Sequence, residues 1–592
     1  MYNVVQSAVF PKLQPCAPKG LYFRTNSRVV LSFQKKEAIF ETGGILRTNT
    51  YFNSISIGKI KKYTHLTHLS LSLSFRGKFK ITWKVKSLQQ SDRVVQEDVL
   101  ASEELIAKEV VLPFWDNLTE GMLFFELHAL EASVLFGFQY LTKDEPVQKV
   151  HLGLVITHFN RPKEVEKTAL RLKEELLEDP YYEGRVQLII VDNSRNLSLS
   201  LTNEKRVTVI PNRNLGGSGG FSRGLMYLRH ADDFTHGLFM DDDASSEIES
   251  IRRTIFYLAY SGDPKLAIAG AMLREVQPYM QHENGGRFDG LCYPIKCYYN
   301  LLLTRDLLRN EQEEPIDYGA WWYFAFPLQT AKHLAFPYFV RGDDIGFSLA
   351  NNFHIITVNG ISSWQADFAH KAGPLQIYLD QRNQIMHFFH GIVKDNRKRK
   401  LLKATLTLFI LNSLAYQYES ARACTLAIYD VLKGPDFWRD NVDMNAKRAE
   451  LLALTQQQKI RPIPEDLKKR AEKGVPTENL LTKITRLISL NGHLLPIVFF
   501  KKYPMWQYKH YGERLRELYR RKEAIFYTDL GGHQGVILRH SKREFFVGAV
   551  RHLVAVIRLF INLKQLKKVY QQSYEELTSE SFWQKQFDQK GQ

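Results

Sequence analysis

The chain has 592 residues, of which 44 % are hydrophobic and 12 % aromatic, and its formal net charge is +17. That length exceeds what one hydrophobic core serves, so several domains are expected, and the composition excludes a disordered chain. Four scattered cysteines with no CxxC pair argue against a disulfide framework or a cysteine zinc site and for a reducing compartment.

The opening, MYNVVQSAVFPKLQPCAPKG, lacks a basic region followed by an apolar core, so no signal peptide is predicted. Residues 21 to about 148 read as strands. VVLSF, AIFETGGILRTNTYFNSISIG and HLSLSLSF are rich in β-branched and aromatic residues and are cut by Gly and Asn, which predicts a β-sandwich. THLSLSLSFRGKFKITWKV reads as a hairpin that turns at Arg76-Gly77.

Over 149–390 the pattern changes. VHLGLVITHFNRPKEVEKTALRLKEELLE is an apolar strand followed by an amphipathic helix with Pro162 at its start. VQLIIVDNS, RVTVIPN, a Gly-rich turn with GLMYLRH, and HGLFMDDD follow. Such alternation predicts a doubly wound parallel sheet, whose ligands bind at the carboxyl ends of the strands. Asn160, Asp192, Asn212 and Asp241 all fall at such ends.

From 391 to 592 helical patterns dominate, with basic runs KDNRKRKLLK and RLRELYRRK. This last third holds 37 basic and 20 acidic residues, so the whole excess of 17 lies there and the first 390 residues balance. It suits an anionic membrane surface, a polyanionic product, nucleic acid or a plain solvated helical face. No recognised nucleic-acid motif accompanies it, so no nucleic-acid partner is expected. No run reaches the roughly 18 uninterrupted apolar residues of a membrane span. FFVGAVRHLVAVIRLFINLKQLKKVY (545–570), broken by Arg551 and Arg558, reads as a buried helix or a surface-lying amphipathic anchor.

Five stretches carry chemistry. Asp241, Asp242 and Asp243 repel one another unless a helix start or a cation absorbs the charge, and Asp241 and Asp243 have the D-x-D spacing for a divalent ion. PNRNLGGSGGFSRGL (211–225) lets backbone approach an anionic ligand, yet is neither a dinucleotide nor a P-loop motif. Trp321 and Trp322 could stack on a sugar, or pack in the core. Asp343 and Asp344 form a second acidic pair that could supply a general base. Finally, His370 could ligate a metal, and Arg382, in YLDQRN, could neutralise a phosphate.

Together NLGGSGGFSRG, MDDD, AWW with FP, and the DD pair resemble an inverting family 2 glycosyltransferase of GT-A fold, in particular the bacterial galactofuranosyltransferases. The resemblance covers almost the whole chain: β-sandwich at 1–148, GT-A domain at 149–390, helical domain at 391–592. It implies a UDP-sugar donor, Mn2+ or Mg2+, and a glycan acceptor that is commonly lipid-linked. Donor binding would fall to Thr157, Arg161, Asp192, Asn214, Gly216, Gly217, Gly219, Gly220 and Asp242, with Arg382 as a phosphate partner. The resemblance assigns the metal to Asp241, Asp243 and His370, the acceptor to Trp321, Trp322 and Asp343, and the base to Asp344. The enzyme is then expected in the cytoplasm at the inner face of the plasma membrane, and possible homo-oligomers are allowed for. Two positions depart from the pattern: Gln365 follows Trp364 where the family has a metal-binding His, and Gly346 replaces the Glu of D-D-x-E. A different donor sugar, as in a rhamnosyltransferase, and a carbohydrate-binding protein with a degenerate transferase domain are the alternatives.

Overall fold

The computed structural model describes residues 2–12, 17–197, 206–231, 233–242, 245–366, 373–393, 395–473, 478–508, 515–528 and 531–589. Within residues 3–142 the strands join into one connected, ten-stranded antiparallel sheet. Its axis is the strand Ser70–Lys86, which pairs with Arg93–Val111, Met122–Ala129 and Ser133–Thr142. Here the expected hairpin is overturned. Gly77 adopts φ 104° and makes a bulge, not a reversal, so the chain runs on as a single strand. Residues before the bulge pair with Ser133–Thr142, whereas those after it pair with Met122–Ala129. Ser133 fills the space beside Gly77 and its hydroxyl accepts from the N–H of Lys78 at 3.0 Å, which holds the bulge in place.

The central sheet is seven-stranded. Leu152–His158 lies between Val186–Asp192 and His236–Asp241, in parallel with both, and Val207–Pro211 forms the edge. Phe324–Pro327 runs antiparallel beside His236–Asp241 and links it to Leu266–Ala269 and His354–Ile356. Alternate residues of each inner strand face different cores. Leu152, Leu154 and Ile156, with Val186, Leu188 and Ile190, belong to a core continuous with the N-terminal sheet. Val155, with Ile189 and Val191, faces a second core that extends to Trp438, Tyr570 and Trp583. Burial on both faces explains why these strands read as unbroken apolar runs.

A smaller sheet of Ala271–Arg274, Gln281–Glu283 and Ser362–Gln365 stands beside the carboxyl ends of the central strands. The last third is mainly helical, but it also contains a five-stranded sheet, with Met505–Tyr508, Glu523–Tyr527 and Gln534–Arg539 at its centre. EAIFY and GVILR are short, continuously apolar runs of the kind that a search for long helical periodicity passes over. The helices Leu563–Leu577 and Glu580–Asp588 pack back on the helices Pro374–His390 and Gly216–His230 that flank the central sheet, where Trp583 is fully buried and its indole donates to the carbonyl of Ala335 at 2.8 Å.

Candidate active site

The parallel register sets the site. Thr157 pairs with Asp241 and His158 with Asp192, so three strands end level with one another. Beyond these ends opens a cleft of about 430 Å3 whose wall includes Asp241, Gly217, Trp321, Trp322, Asp343 and Asp344.

Asp241 is the half-buried last residue of its strand and accepts from the side-chain amide of Gln365 at 3.2 Å. The departure from the family pattern therefore stands beside the first aspartate. Paired backbone hydrogen bonds between Ser245 and Trp364 (3.2 and 2.8 Å) hold the two segments together. Gln365 turns its NH2 and not its carbonyl to Asp241, so of this pair it is the carboxylate that supplies a hard oxygen donor of the type Mn2+ and Mg2+ accept. Asp243 and His370 lie outside the described residues. Among the described residues no group of three His, Cys, Asp or Glu side chains converges as a metal site.

Asp242 faces the loop after Leu152–His158, where it takes the N–H of Phe159 at 3.2 Å and the guanidinium of Arg161 at 3.1 Å. His158, fully buried, has Asp242 at 3.5 Å and Asn196 at 2.9 Å. Burial works against its charge, but Asp242, Asn196 and Asp192 outweigh it and raise its pKa. Asp192 accepts four backbone N–H groups, from Ser194, Arg195, Asn196 and Leu197, at 2.8–3.2 Å. Its carboxylate thus shapes the loop after Val186–Asp192.

The glycines divide by role. Asn214 caps the turn by accepting the N–H of Gly216 at 3.1 Å. Gly216 adopts φ 69°, and a Cβ there would lie 2.1 Å from the carbonyl of Phe339. Gly217 lines the cleft. Gly219 and Gly220 are turned away from it: added Cβ atoms would meet Leu215 and Trp583, or Thr157 at 2.3 Å. These two let the helix Gly216–His230 seat closely on the strand and on the C-terminal helix, instead of offering backbone to a diphosphate. Thr157 sits under that contact.

The acidic pair opens the helix Asp343–Asn351 after Gly342 at φ 81°. Asp343 is buried and accepts from the hydroxyl of Ser218 at 3.2 Å. Burial, then Asp344 and Asp241, raise its pKa well above the carboxylate range. Asp344 is half-exposed, and burial pushes it up to about 6 against the N–H of Ile345 and the guanidinium of Arg341. The ring of Trp321 is wedged among Phe221, Phe239 and Phe347 at 4.8–5.7 Å, so it is mainly core. Trp322 is the half-exposed one, anchored by its indole N–H to the carbonyl of Gly270 at 2.9 Å.

Arg382 is displaced from its expected role. It is buried, stacks on Trp438 at 4.3 Å and donates to the carbonyl of Tyr338 at 2.6 Å. Its neighbour Asn383 donates to the carbonyls of Val340 and Arg341, and Asp380 takes the Arg341 guanidinium in two bonds of 2.6 and 2.9 Å. YLDQRN therefore clamps the loop that delivers the acidic pair. It does not reach into the cleft as a phosphate ligand.

Arg341, Asp380, Glu283, Cys292 and Tyr318 also line the cleft and were not singled out by sequence. Glu283 is buried, and burial followed by Asp344 pushes its pKa up to about 8. No local motif marks HENGG; Glu283 reaches the cleft only through pairing with Met272.

No family model matches the chain. The galactofuranosyltransferase GlfT2 of Mycobacterium tuberculosis is 26 % identical over 431 residues, covering 65 % of each chain. GlfT2 of Mycolicibacterium smegmatis is 23 % identical over 421 residues, 65 % of this chain and 64 % of its own. This chain resembles the GlfT2 galactofuranosyltransferases. The likeness spans just under two thirds of these GlfT2 proteins. Among solved structures, GalNAc-T7 with UDP, GalNAc and Mn2+ aligns at TM-score 0.29 and 12 % identity, over 39 % of this chain and 46 % of that one. TarS 1-349 of S. aureus aligns at TM-score 0.28 and 13 % identity, over 53 % and 94 %. At such scores neither structural likeness supports anything further.

Proposed function

We propose that the chain is an inverting, metal-dependent glycosyltransferase that moves galactofuranose from UDP-galactofuranose to a hydroxyl of a cell-surface glycan. The observation that carries this reading is the gathering of Asp241, Asp344 and the half-exposed Trp322 on one cleft. The GlfT2 resemblance supplies the sugar.

In this reading Asp344 takes the proton of the acceptor hydroxyl as its oxygen attacks the anomeric carbon. A pKa of about 6 keeps Asp344 mostly ionised near neutrality yet basic enough to assist. Glu283, protonated at neutral pH, is a hydrogen-bond donor to the acceptor, and Trp322 offers an aromatic face to its ring. Arg161 sits at the donor side, tethered by Asp242. Asp241, with Asp243 and His370 if these join it, would hold the cation, while the Gln365 amide orients the Asp241 carboxylate. When bound, that ion neutralises charge on the departing diphosphate. The same proposal keeps the units 1–148, 149–390 and 391–592, with the N-terminal sheet folding over at its Gly77 bulge into a sandwich.

The test is UDP release from UDP-galactofuranose with Mn2+, with and without a galactofuranosyl acceptor, for wild type, Asp241→Ala and Asp344→Ala. Wild-type release should depend on Mn2+, and each substitution should lower it at least about 100-fold. Release from another nucleotide sugar alone would overturn the donor but not the mechanism. Release from no donor would favour a carbohydrate-binding protein.

A further inference from the structure

A second and larger cavity, of about 570 Å3, lies at the end of the central sheet opposite the candidate active site. His151, Arg185 and Thr235 line it, each standing one residue before a central strand: Leu152–His158, Val186–Asp192 and His236–Asp241. The cleft with Asp241 opens beyond the other ends of these strands. The length of a seven-residue strand, roughly 20 Å, therefore separates the two openings. Asn3, from the N-terminal sheet, and Phe256 and Tyr260, from the helix Ile248–Tyr260, complete the wall.

Hydrogen bonds fix these walls in place. Gln148 donates its backbone N–H to the carbonyl of Ala259 at 3.1 Å and its side-chain amide to that of Leu258 at 2.8 Å. The Tyr260 hydroxyl and the Asn3 amide both donate to the carbonyl of Asp144, at 2.9 and 3.2 Å. Asp179 caps the turn Pro180–Tyr182 by accepting the N–H of Tyr181 at 3.0 Å, and it also takes the guanidinium of Arg252 at 3.2 Å. Such a preformed cavity is what a small-molecule site requires.

Charge and ring chemistry select the ligand. Arg252 is engaged by Asp179 and by the carbonyl of Glu175 at 2.7 Å, and the wall carboxylate Asp233 stands 3.5 Å from His151. Arg185 and Lys149 are different: both are exposed, and among the described residues neither has an acidic partner. The Arg185 guanidinium lies over the ring of Tyr181 at 4.5 Å. Held by an aromatic face and not by an acid, it keeps its fork of N–H donors for a ligand carboxylate or phosphate. Tyr181, Phe256 and Tyr260 offer aromatic surface to the C–H faces of sugar rings, and Asn3 and Thr235 offer polar groups to their hydroxyls. We propose that this cavity is a second glycan site, separate from the transfer cleft, that holds about two or three rings of an acidic oligosaccharide with its anionic groups on Arg185 and Lys149. A neutral glycan would leave both cations unused. The inference does not depend on the transfer reaction proposed above.

The experiment is isothermal titration calorimetry of the full chain, without donor or metal, against trigalacturonate, neutral maltotriose and inorganic phosphate. Trigalacturonate should bind, and the other two probes should bind at least about tenfold more weakly. Lys149→Gln/Arg185→Gln, a change at two exposed positions, should weaken trigalacturonate at least about tenfold with unchanged circular dichroism. Asp344→Ala, and wild type saturated with UDP and Mg2+, should bind trigalacturonate as wild type does, because both perturb the cleft alone. No binding of trigalacturonate overturns the proposal, as does equal binding of maltotriose or of phosphate. Displacement by UDP, or loss in Asp344→Ala, would put the ligand in the cleft and overturn it. A double variant that binds like wild type would put the anion on the basic last third, and would overturn it as well.

Discussion

Replacing Arg341 by Gln tests whether the cleft tunes Asp344, the proposed base, electrostatically. Arg341 lines the cleft beside Asp344 and is one of the groups that hold the Asp344 pKa down toward about 6. An adjacent guanidinium lowers a carboxylate by about 1–3 units, and the open cleft with the competing Asp380 argues for the low end, about 1. Loss of the charge should therefore move Asp344 from about 6 to about 7. The ionised fraction at pH 6.5 then falls from about three quarters to about one quarter, a roughly threefold loss of kcat, while at pH 8.5 the two enzymes converge. Asp380→Asn should shift the acid limb the other way. It removes a negative neighbour and leaves the Arg341 charge, now held by two fewer charge-assisted bonds, for Asp344. The assay is the pH dependence of UDP release at saturating donor for the three proteins. Opposite displacements of the acid limb support electrostatic tuning. A drop of equal size at every pH would show that Arg341 acts through loop placement or acceptor contact, and parallel shifts in the two variants would refute the reasoning outright.

The carboxyl of Glu283 is raised in the folded state, from about 4.5 to about 8, so its contribution to stability is complete below the unfolded value and is lost as pH rises through the folded one. Glu283→Gln should remove a decline of about 1.4 kcal/mol per pH unit between those limits, read as urea midpoints at pH 6 and pH 8; an unchanged slope would mean that the group ionises freely. Trp583→Ala should cost about 3–5 kcal/mol through the cavity it leaves between the C-terminal helix and Gly219, with Trp583→Phe recovering most of it. Urea midpoints for both variants equal to wild type would show that the C-terminal helix is not part of the cooperative unit.

What was readable in the sequence followed from local periodicity. The alternation of apolar strand and amphipathic helix over 149–260 placed Thr157, Asp192 and Asp241 at strand ends, and parallel register then brings them level. Side-chain direction was not readable that way. Of the adjacent tryptophans one is core and the other half-exposed, and of the glycines Gly217 faces the cleft while Gly219 and Gly220 face protein. Neighbours one residue apart on a helix or extended segment point in different directions, so a motif names the segment but not the atom that reaches the ligand. Glu283, Arg341 and Asp380 were missed because they converge from three segments that share no spacing.

The tail shows the same distinction at the scale of a domain. Residues 545–570 read in the sequence as either a buried helix or a surface-lying amphipathic anchor. In the fold they divide at Asn562: the helix before it keeps an exposed apolar stripe, and the helices after it carry Tyr570, Leu577 and Trp583 into the core behind the cleft. Trp583 reaches the Gly219 position and the carbonyl of Ala335, while Glu580 pairs with Arg229 of the glycine-rich helix at 2.8 Å. Truncation at 545 would therefore remove the support of the helix Gly216–His230 along with any membrane contact, and loss of activity in that truncate would say nothing about lipid. Point changes on the exposed stripe separate the two roles, because Val550 and Ile557 face away from everything that Trp583 and Tyr570 hold in place.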